Sequence, residues 1–165
     1  KKKLSKLLHM SNLISKDGFE KLKAEWEHLK YTERPSVQQR VSDAAAEGDR
    51  SENAEYTYGR MRLREIDKRL RFLDKILDNA KIVENISSND GSIRFGAKVS
   101  LQEIKTKKTK IYTLVGPQEI DPLQGKISIS SPVGKVLIGK KQGETVQVSV
   151  PKGILEYQII EVSYK

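Results

Sequence analysis

The sequence predicts an α+β protein: an N-terminal antiparallel coiled-coil helical hairpin, then a mainly antiparallel sheet domain with one short helix. Three observations predict it. Apolar residues recur at helical spacing as far as about Ile82, short β-rich segments replace them after Asn85, and turn residues gather at the two breaks. The 165 residues suit one medium domain or two small ones. The expected division is an extension over 1–12, the hairpin over 13–86 and the sheet domain over 87–165.

Residues 1–9 are basic and precede Met10, the natural start on this reading; the regular pattern begins just after it. Ser15 is the expected N-cap of the first helix. Phe19, Leu22, Trp26 and Leu29 follow at spacings of three, four and three, which keeps them on one stripe. Pro35 interrupts, and Val37, Val41 and Ala44 resume slightly out of phase, so a kinked helix is expected rather than two helices. Gly48 breaks the pattern. A second helix then carries Leu63, Ile66, Leu70, Leu73, Leu77 and Ala80, alternately three and four apart, the spacing of a coiled-coil seam. Residues 18–46 at about 1.5 Å each make an arm about 43 Å long. The seam is satisfied within the hairpin, so a monomer is expected.

Ser87–Ser92 reads as a linker, and the expected strands are Ala97–Gln102, Thr109–Val115, Lys126–Ile129, Thr145–Val150 and Leu155–Val162. Ser131–Ile138 reads as a short helix with Ser131 as N-cap and Pro132 at its first position.

Composition narrows the function. With no cysteine the chain has no disulfide framework, thiolate metal site or cysteine nucleophile, which fits a cytoplasmic location. No apolar run reaches the length of a membrane span, so no membrane association is expected. His9 and His28 stand alone, which gives a zinc site or a histidine triad no support. The net charge of +9 suggests a polyanionic partner or a merely basic surface, and its distribution separates the two.

That distribution is uneven. Asp43, Glu47, Asp49, Glu52 and Glu55 face a single base, Arg50, at the bend of the hairpin. Asp49 and Glu52 lie three apart at the turn into the second helix, where free backbone amides favour ionised carboxylates. Such a pair suits a hard cation like Mg²⁺ but supplies too few ligands for a complete site, so a partner or phosphate would supply the rest. The alternative is a solvated acidic turn with capping roles. Behind the bend, Arg60, Arg64, Lys68, Arg71 and Lys75 form one stripe away from the leucine seam, suited to an RNA or DNA backbone. An ordinary solvated face is the competing reading. Arg62 and Arg69 fall elsewhere and are expected to pair, while Trp26, Tyr56 and Tyr58 are expected to pack.

The run Gly48-Asp49-Arg50-Ser51-Glu52-Asn53-Ala54-Glu55-Tyr56 resembles the tip motif of the GreA/GreB family of bacterial transcription elongation (transcript-cleavage) factors. Gly18 with Lys21-Leu22 and Arg34-Pro35, Arg62–Asp67 with Arg69, Ile127–Pro132, and Gly139–Lys141 with Gly143-Glu144 are similar to it as well. The likeness spans about Leu13 to Tyr164. It implies an FKBP-like C-terminal domain that docks at the rim of the RNA polymerase secondary channel. The hairpin then enters the channel, and the family's two acids fall on Asp49 and Glu52.

On this resemblance the chain is not an enzyme by itself. Asp49 and Glu52 would help to hold a Mg²⁺ shared in trans with the polymerase active centre, which then hydrolyses the 3′ transcript of a backtracked complex. The basic stripe would hold the RNA 3′ end; DNA is a further candidate contact. Asp49–Glu52 and the dense stripe incline the resemblance to GreB. Ser130, Ser131 and Pro132 form the loop expected to dock on polymerase, although Ser130 stands where GreB-type sequences often carry an acid. The alternatives are a Gre-like channel occupant that binds without cleavage, and a basic coiled coil that binds nucleic acid with no polymerase role.

Overall fold

The protein is described by a computed structural model covering residues 12–48, 52–84 and 87–164. It divides into two compact units, Phe19–Ala80 as one and the residues up to Gly18 with those from Lys81 onward as the other. This differs from the expected 13–86 boundary. Two short strands, β1 (Leu13–Ser15) and β2 (Lys81–Val83), pair in parallel and belong with the sheet unit. Three residues are too few to show a period, and the partners lie far apart in sequence, so no local signal marks them.

The N-cap expected at Ser15 is present. Its Oγ accepts the N–H of Gly18 at 3.0 Å, at the start of α1 (Lys16–His28). Ser15 also donates through its N–H (3.0 Å) and its hydroxyl to the Glu119 carboxylate, which ties the cap to the sheet unit.

The interruption expected at Pro35 lies one turn earlier. α1 continues through a π-helical turn, Leu29–Glu33, into α2 (Arg34–Ala46), and the Arg34 N–H reaches back five residues to the Leu29 carbonyl. Pro35 has no N–H, and in a regular helix its ring would press on the carbonyl four residues before. The wider turn also explains the phase slip. Leu29 and Val37, both buried, are eight residues apart, and regular helical steps would leave them about 80° out of line. One extra residue in the turn returns them to the same face.

The second helix, α3 (Ala54–Asn79), runs antiparallel to the first two. Glu25 meets Arg69, Arg34 meets Asp67 and Ala44 meets Asn53, the partner number falling as the first rises. Leu29, Val37, Ile66 and Leu73 are buried between the helices, with Leu22, Trp26, Val41, Leu63 and Leu70 packed around them. Gly59 is buried where the helices approach near the bend; a Cβ there would lie 2.4 Å from Val41 Cγ2.

The other unit is built on a five-stranded sheet, ordered β5-β4-β3-β7-β6. Its strands are β3 (Lys98–Glu103), β4 (Thr109–Val115), β5 (Lys126–Ser128), β6 (Thr145–Val150) and β7 (Gly153–Ser163), close to the expected five. All neighbours are antiparallel except β4 and β5. The short helix α4 (Pro132–Leu137) is capped by Ser131, whose Oγ accepts the Gly134 N–H at 3.0 Å. On β7, Tyr157 and Ile159 are buried, but Ile160 and Glu161 are both exposed. A register shift against β3 absorbs the extra residue, so that Val99 still meets Val162.

Candidate functional site at the hairpin bend and basic helix face

At the bend, α2 ends at Ala46, Glu47 is its C-cap, and Gly48 follows at φ +133°, a conformation that glycine adopts without strain. Asp49, Arg50 and Ser51 lie outside the described residues, and with them the expected pairing of Asp49 with Glu52. Glu52 is exposed in the turn before α3. It stands one residue outside the helix, because the N-cap is Asn53. The Asn53 Oδ1 accepts the Tyr56 N–H at 3.0 Å, so one of the free amides expected to face the carboxylates is already taken. Its Nδ2 donates to the Ala44 carbonyl at 2.8 Å. One side-chain amide therefore starts α3 and ties it to the last turn of α2, immediately beside Glu52. Asn53 is absent from the residues expected to matter, although an Asn directly before a helix is a start signal.

Among the described residues no three acids or histidines come together to hold a metal ion. What the bend offers is an exposed carboxylate, a hard oxygen donor on a tethered turn, chemically suited to Mg²⁺ but short of a full ligand set.

The arginines of the hairpin divide into two groups. Arg34, Arg62 and Arg69 clasp the helices together. Arg34 Nε lies 2.7 Å from Asp67, Arg62 Nε 2.7 Å from Glu33, and Arg69 makes two bonds to Glu25 at 2.6 and 2.8 Å. The expected pairing of Arg62 and Arg69 is thus present. The bonds from Arg69 lower the Glu25 pKa, and the carboxylate partners raise those of all three arginines.

The second group is the stripe. Arg60, Arg64, Lys68, Arg71 and Lys75 are all exposed on α3, and none makes an ion pair with a described residue. Arg60 alone leans on a neighbour, with its guanidinium 5.7 Å from the centre of the Tyr56 ring. A helix whose inward arginines are matched and whose outward cations are not carries a charge surplus on one face. That arrangement suits a phosphate backbone.

The aromatic residues follow the packing expectation in part. Trp26 is half-buried, and its indole N–H donates to Asp74 at 2.7 Å; Tyr56 is also half-buried. Tyr58 is 67% exposed, against the expectation that it packs. Gly59 and Ile66 mark the buried side of α3, and Tyr58 is about 80° away from Ile66 on a 100° helix.

In the sheet unit, Ser130 and Ser131 are occupied within their own loop. Ser130 Oγ lies 2.7 Å from Ser128 Oγ, and Ser131 caps α4. Pro132 is exposed at the first position of that helix. The loop is held in one shape by its own bonds and presents a proline ring outward.

Two family models cover most of the chain: "Transcription elongation factor, N-terminal" over residues 12–82 and "Transcription elongation factor, GreA/GreB, C-term" over 88–164. The chain is 48% identical over 155 residues to the transcription elongation factor GreB of Yersinia pestis, covering 94% of this chain and 90% of that one. It is 46% identical to GreB of Pasteurella multocida, covering 94% and 98%. GreA of Thermodesulfovibrio yellowstonii is 41% identical, covering 92% and 96%. Among solved structures, the GreA/GreB factor from Nitrosomonas europaea aligns over 92% of this chain and 98% of its own, at 24% identity and a TM-score of 0.43.

Proposed function

The chain belongs to the GreA/GreB family of transcription elongation factors, and we propose that it acts as a GreB-like member that stimulates transcript cleavage by RNA polymerase. On this reading it enters the secondary channel of a backtracked complex and brings its hairpin bend to the polymerase active centre. Asp49 and Glu52 would contribute carboxylates to a Mg²⁺ shared with the polymerase. Bound there, the ion would supply Lewis-acid stabilisation to phosphodiester hydrolysis. Glu52 contributes a carboxylate, Asn53 positions it, and the stripe from Arg60 to Lys75 holds the RNA 3′ segment. Ser130, Ser131 and Pro132 belong to the docking surface, and the chain works as a cytoplasmic monomer.

The observation that carries this reading is the division of cations on α3. Arg62 and Arg69 are consumed by carboxylates across the hairpin, while the five stripe residues remain exposed beside a bend with an exposed acid. The five exposed cations give that face a net positive charge, which a phosphate backbone would neutralise.

The test is a purified backtracked elongation complex with 3′-labelled RNA and Mg²⁺, without nucleotides. The chain should accelerate release of 3′ fragments. The Asp49→Ala/Glu52→Ala variant should lose about 100-fold of that stimulation while still binding polymerase, the loss expected when several kcal/mol of transition-state stabilisation is removed. Binding without any stimulation by the parent chain would sink the cleavage reading and leave a channel-occupying regulator. Loss of binding in the variant would make the bend a docking surface.

A further inference from the structure

One end of the sheet carries a second group of cations, on elements that the cleavage reading does not use. Lys105, Lys107 and Lys108 lie in the β3–β4 connection and Lys152 in the β6–β7 turn; all four are exposed, and none makes an ion pair with a described residue. Strand register brings the two turns to the same end. Glu103 pairs with Tyr157, and the Ile104 N–H bonds the Glu156 carbonyl at 3.0 Å, so β3 finishes beside the start of β7. Lys105 and Ile154 line one shallow hollow between them. The bordering acids are engaged: Glu103 accepts from Thr106 Oγ1 at 2.8 Å, and Glu156 from Gln147 at 2.8 Å.

The connection is held rigidly. The Lys107 N–H bonds the Glu103 carbonyl, the Glu103 N–H bonds the Lys108 carbonyl, both at 2.9 Å, and Gln102 Nε2 donates to the Lys107 carbonyl at 3.2 Å. Lys107 sits at φ +58°, the one non-glycine residue with positive φ among the described residues. Glycine would occupy that position without strain, and a lysine there keeps a charge at the apex instead. β4 and β5 both run away from this end, so Ser130–Pro132 lies at the opposite end of the sheet.

We infer that this lysine end of the sheet is a contact surface for the sugar–phosphate backbone of duplex DNA. Residues 104–108 and 150–154 contain no aromatic side chain on which unpaired bases would stack. They contain no arginine either, so the surface offers point charges rather than forks that read base edges. It therefore suits a regular, sequence-independent row of phosphates. The choice of DNA rests on the proposed place of the chain on RNA polymerase, because a transcribing complex carries its template duplex.

The test uses the full chain and a fluorescent duplex of mixed sequence, with anisotropy followed from roughly 50 to 200 mM salt. The parent is compared with Lys105→Gln/Lys107→Gly/Lys108→Gln/Lys152→Gln and, separately, with Arg64→Gln/Lys68→Gln/Arg71→Gln/Lys75→Gln; thermal melts establish that each variant folds. The lysine variant should bind duplex about tenfold or more weakly, and its log–log salt slope should fall by up to about 3.6, roughly 0.9 for each of the four phosphate contacts removed. It should stimulate cleavage normally on a polymerase complex assembled without flanking duplex. Unchanged duplex binding in the lysine variant would overturn the inference, as would loss of cleavage on that minimal complex, which would make the surface a protein contact. A parent chain that never stimulates cleavage but shows lysine-dependent duplex binding would remove the proposed function and leave this surface standing.

Discussion

In the helical hairpin, the side chains that hold the structure and those left for a partner alternate around a single helix. In the sheet unit they sit on different elements. α3 buries Ile66 and Leu73, clasps Glu33 and Glu25 with Arg62 and Arg69, and displays Arg64, Lys68 and Arg71 on the remaining face. The sheet buries Val99, Leu101, Leu114 and Ile159 in its core and gathers Lys105, Lys107, Lys108 and Lys152 in two of its turns. A two-helix arm has one buried seam, so each of its residues carries more of the stability. It also brings a long row of cations into one line, which a short strand cannot do.

The strongest way to break this comparison is to remove one core side chain from each unit. Leu73→Ala and Leu114→Ala, both 0% exposed, should each cost about 2–5 kcal/mol, as large-to-small changes in packed cores do. The hairpin has no second layer to take up the loss. Leu73→Ala should therefore remove helical circular dichroism at a lower temperature, with the sheet signal retained. A single transition shared by both signals would show that the units do not melt separately.

Gly59 tests the narrow part of the hairpin. Gly59→Ala gains helix propensity of about 1 kcal/mol but sets a methyl against Val41, and overpacking of about 1–3 kcal/mol should win. Val41→Ala in the same chain should recover most of the loss. Chemical denaturation of the two variants decides it, and a stabilised Gly59→Ala would mean that the helices part without cost.

Asn53 sharpens the comparison at the bend. Asn53→Ala should cost about 1 kcal/mol through the lost cap. Asn53→Asp keeps the cap but not the donor to the Ala44 carbonyl, so it should retain most of the stability. If Asn53 positions Glu52, the Asp variant should still show reduced stimulated cleavage at unchanged polymerase affinity. Equal cleavage by parent and Asp variant would confine Asn53 to folding.

The smallest effect separates the two kinds of cation on α3. Arg69→Gln should cost a fraction of a kcal/mol, as partly exposed ion pairs do, and Arg71→Gln essentially nothing. The bonds from Arg69 lower the Glu25 pKa in the folded chain. That contribution is therefore present above the ordinary glutamate pKa of about 4.3 and is lost as pH falls through the lowered value. Unfolding curves at neutral and acid pH should converge for parent and Arg69→Gln at the acid end. For RNA retention the order should reverse, with Arg71→Gln the more damaging.

Much of this architecture was legible in local pattern. Heptad spacing from Leu63 to Leu77 marked the seam, alternation over Thr145–Val150 marked a strand, and Ser131-Pro132 marked a helix start, because each depends on neighbours within a few residues. The charge reversal at the bend could be read from a count of acids and bases, and the basic stripe and the pairing of Arg62 and Arg69 from helical angles. Tertiary structure decided the rest. The parallel pairing of Leu13–Ser15 with Lys81–Val83 joins segments too short to signal themselves. The π-helical turn is set by the need to return Leu29 and Val37 to one core. Asn53 gained its second role only when the Ala44 carbonyl was brought within 2.8 Å. The two lysine-bearing turns meet at one end because strand register places them there. Periodicity is written along the chain, whereas meetings between distant residues depend on packing, which no single segment encodes.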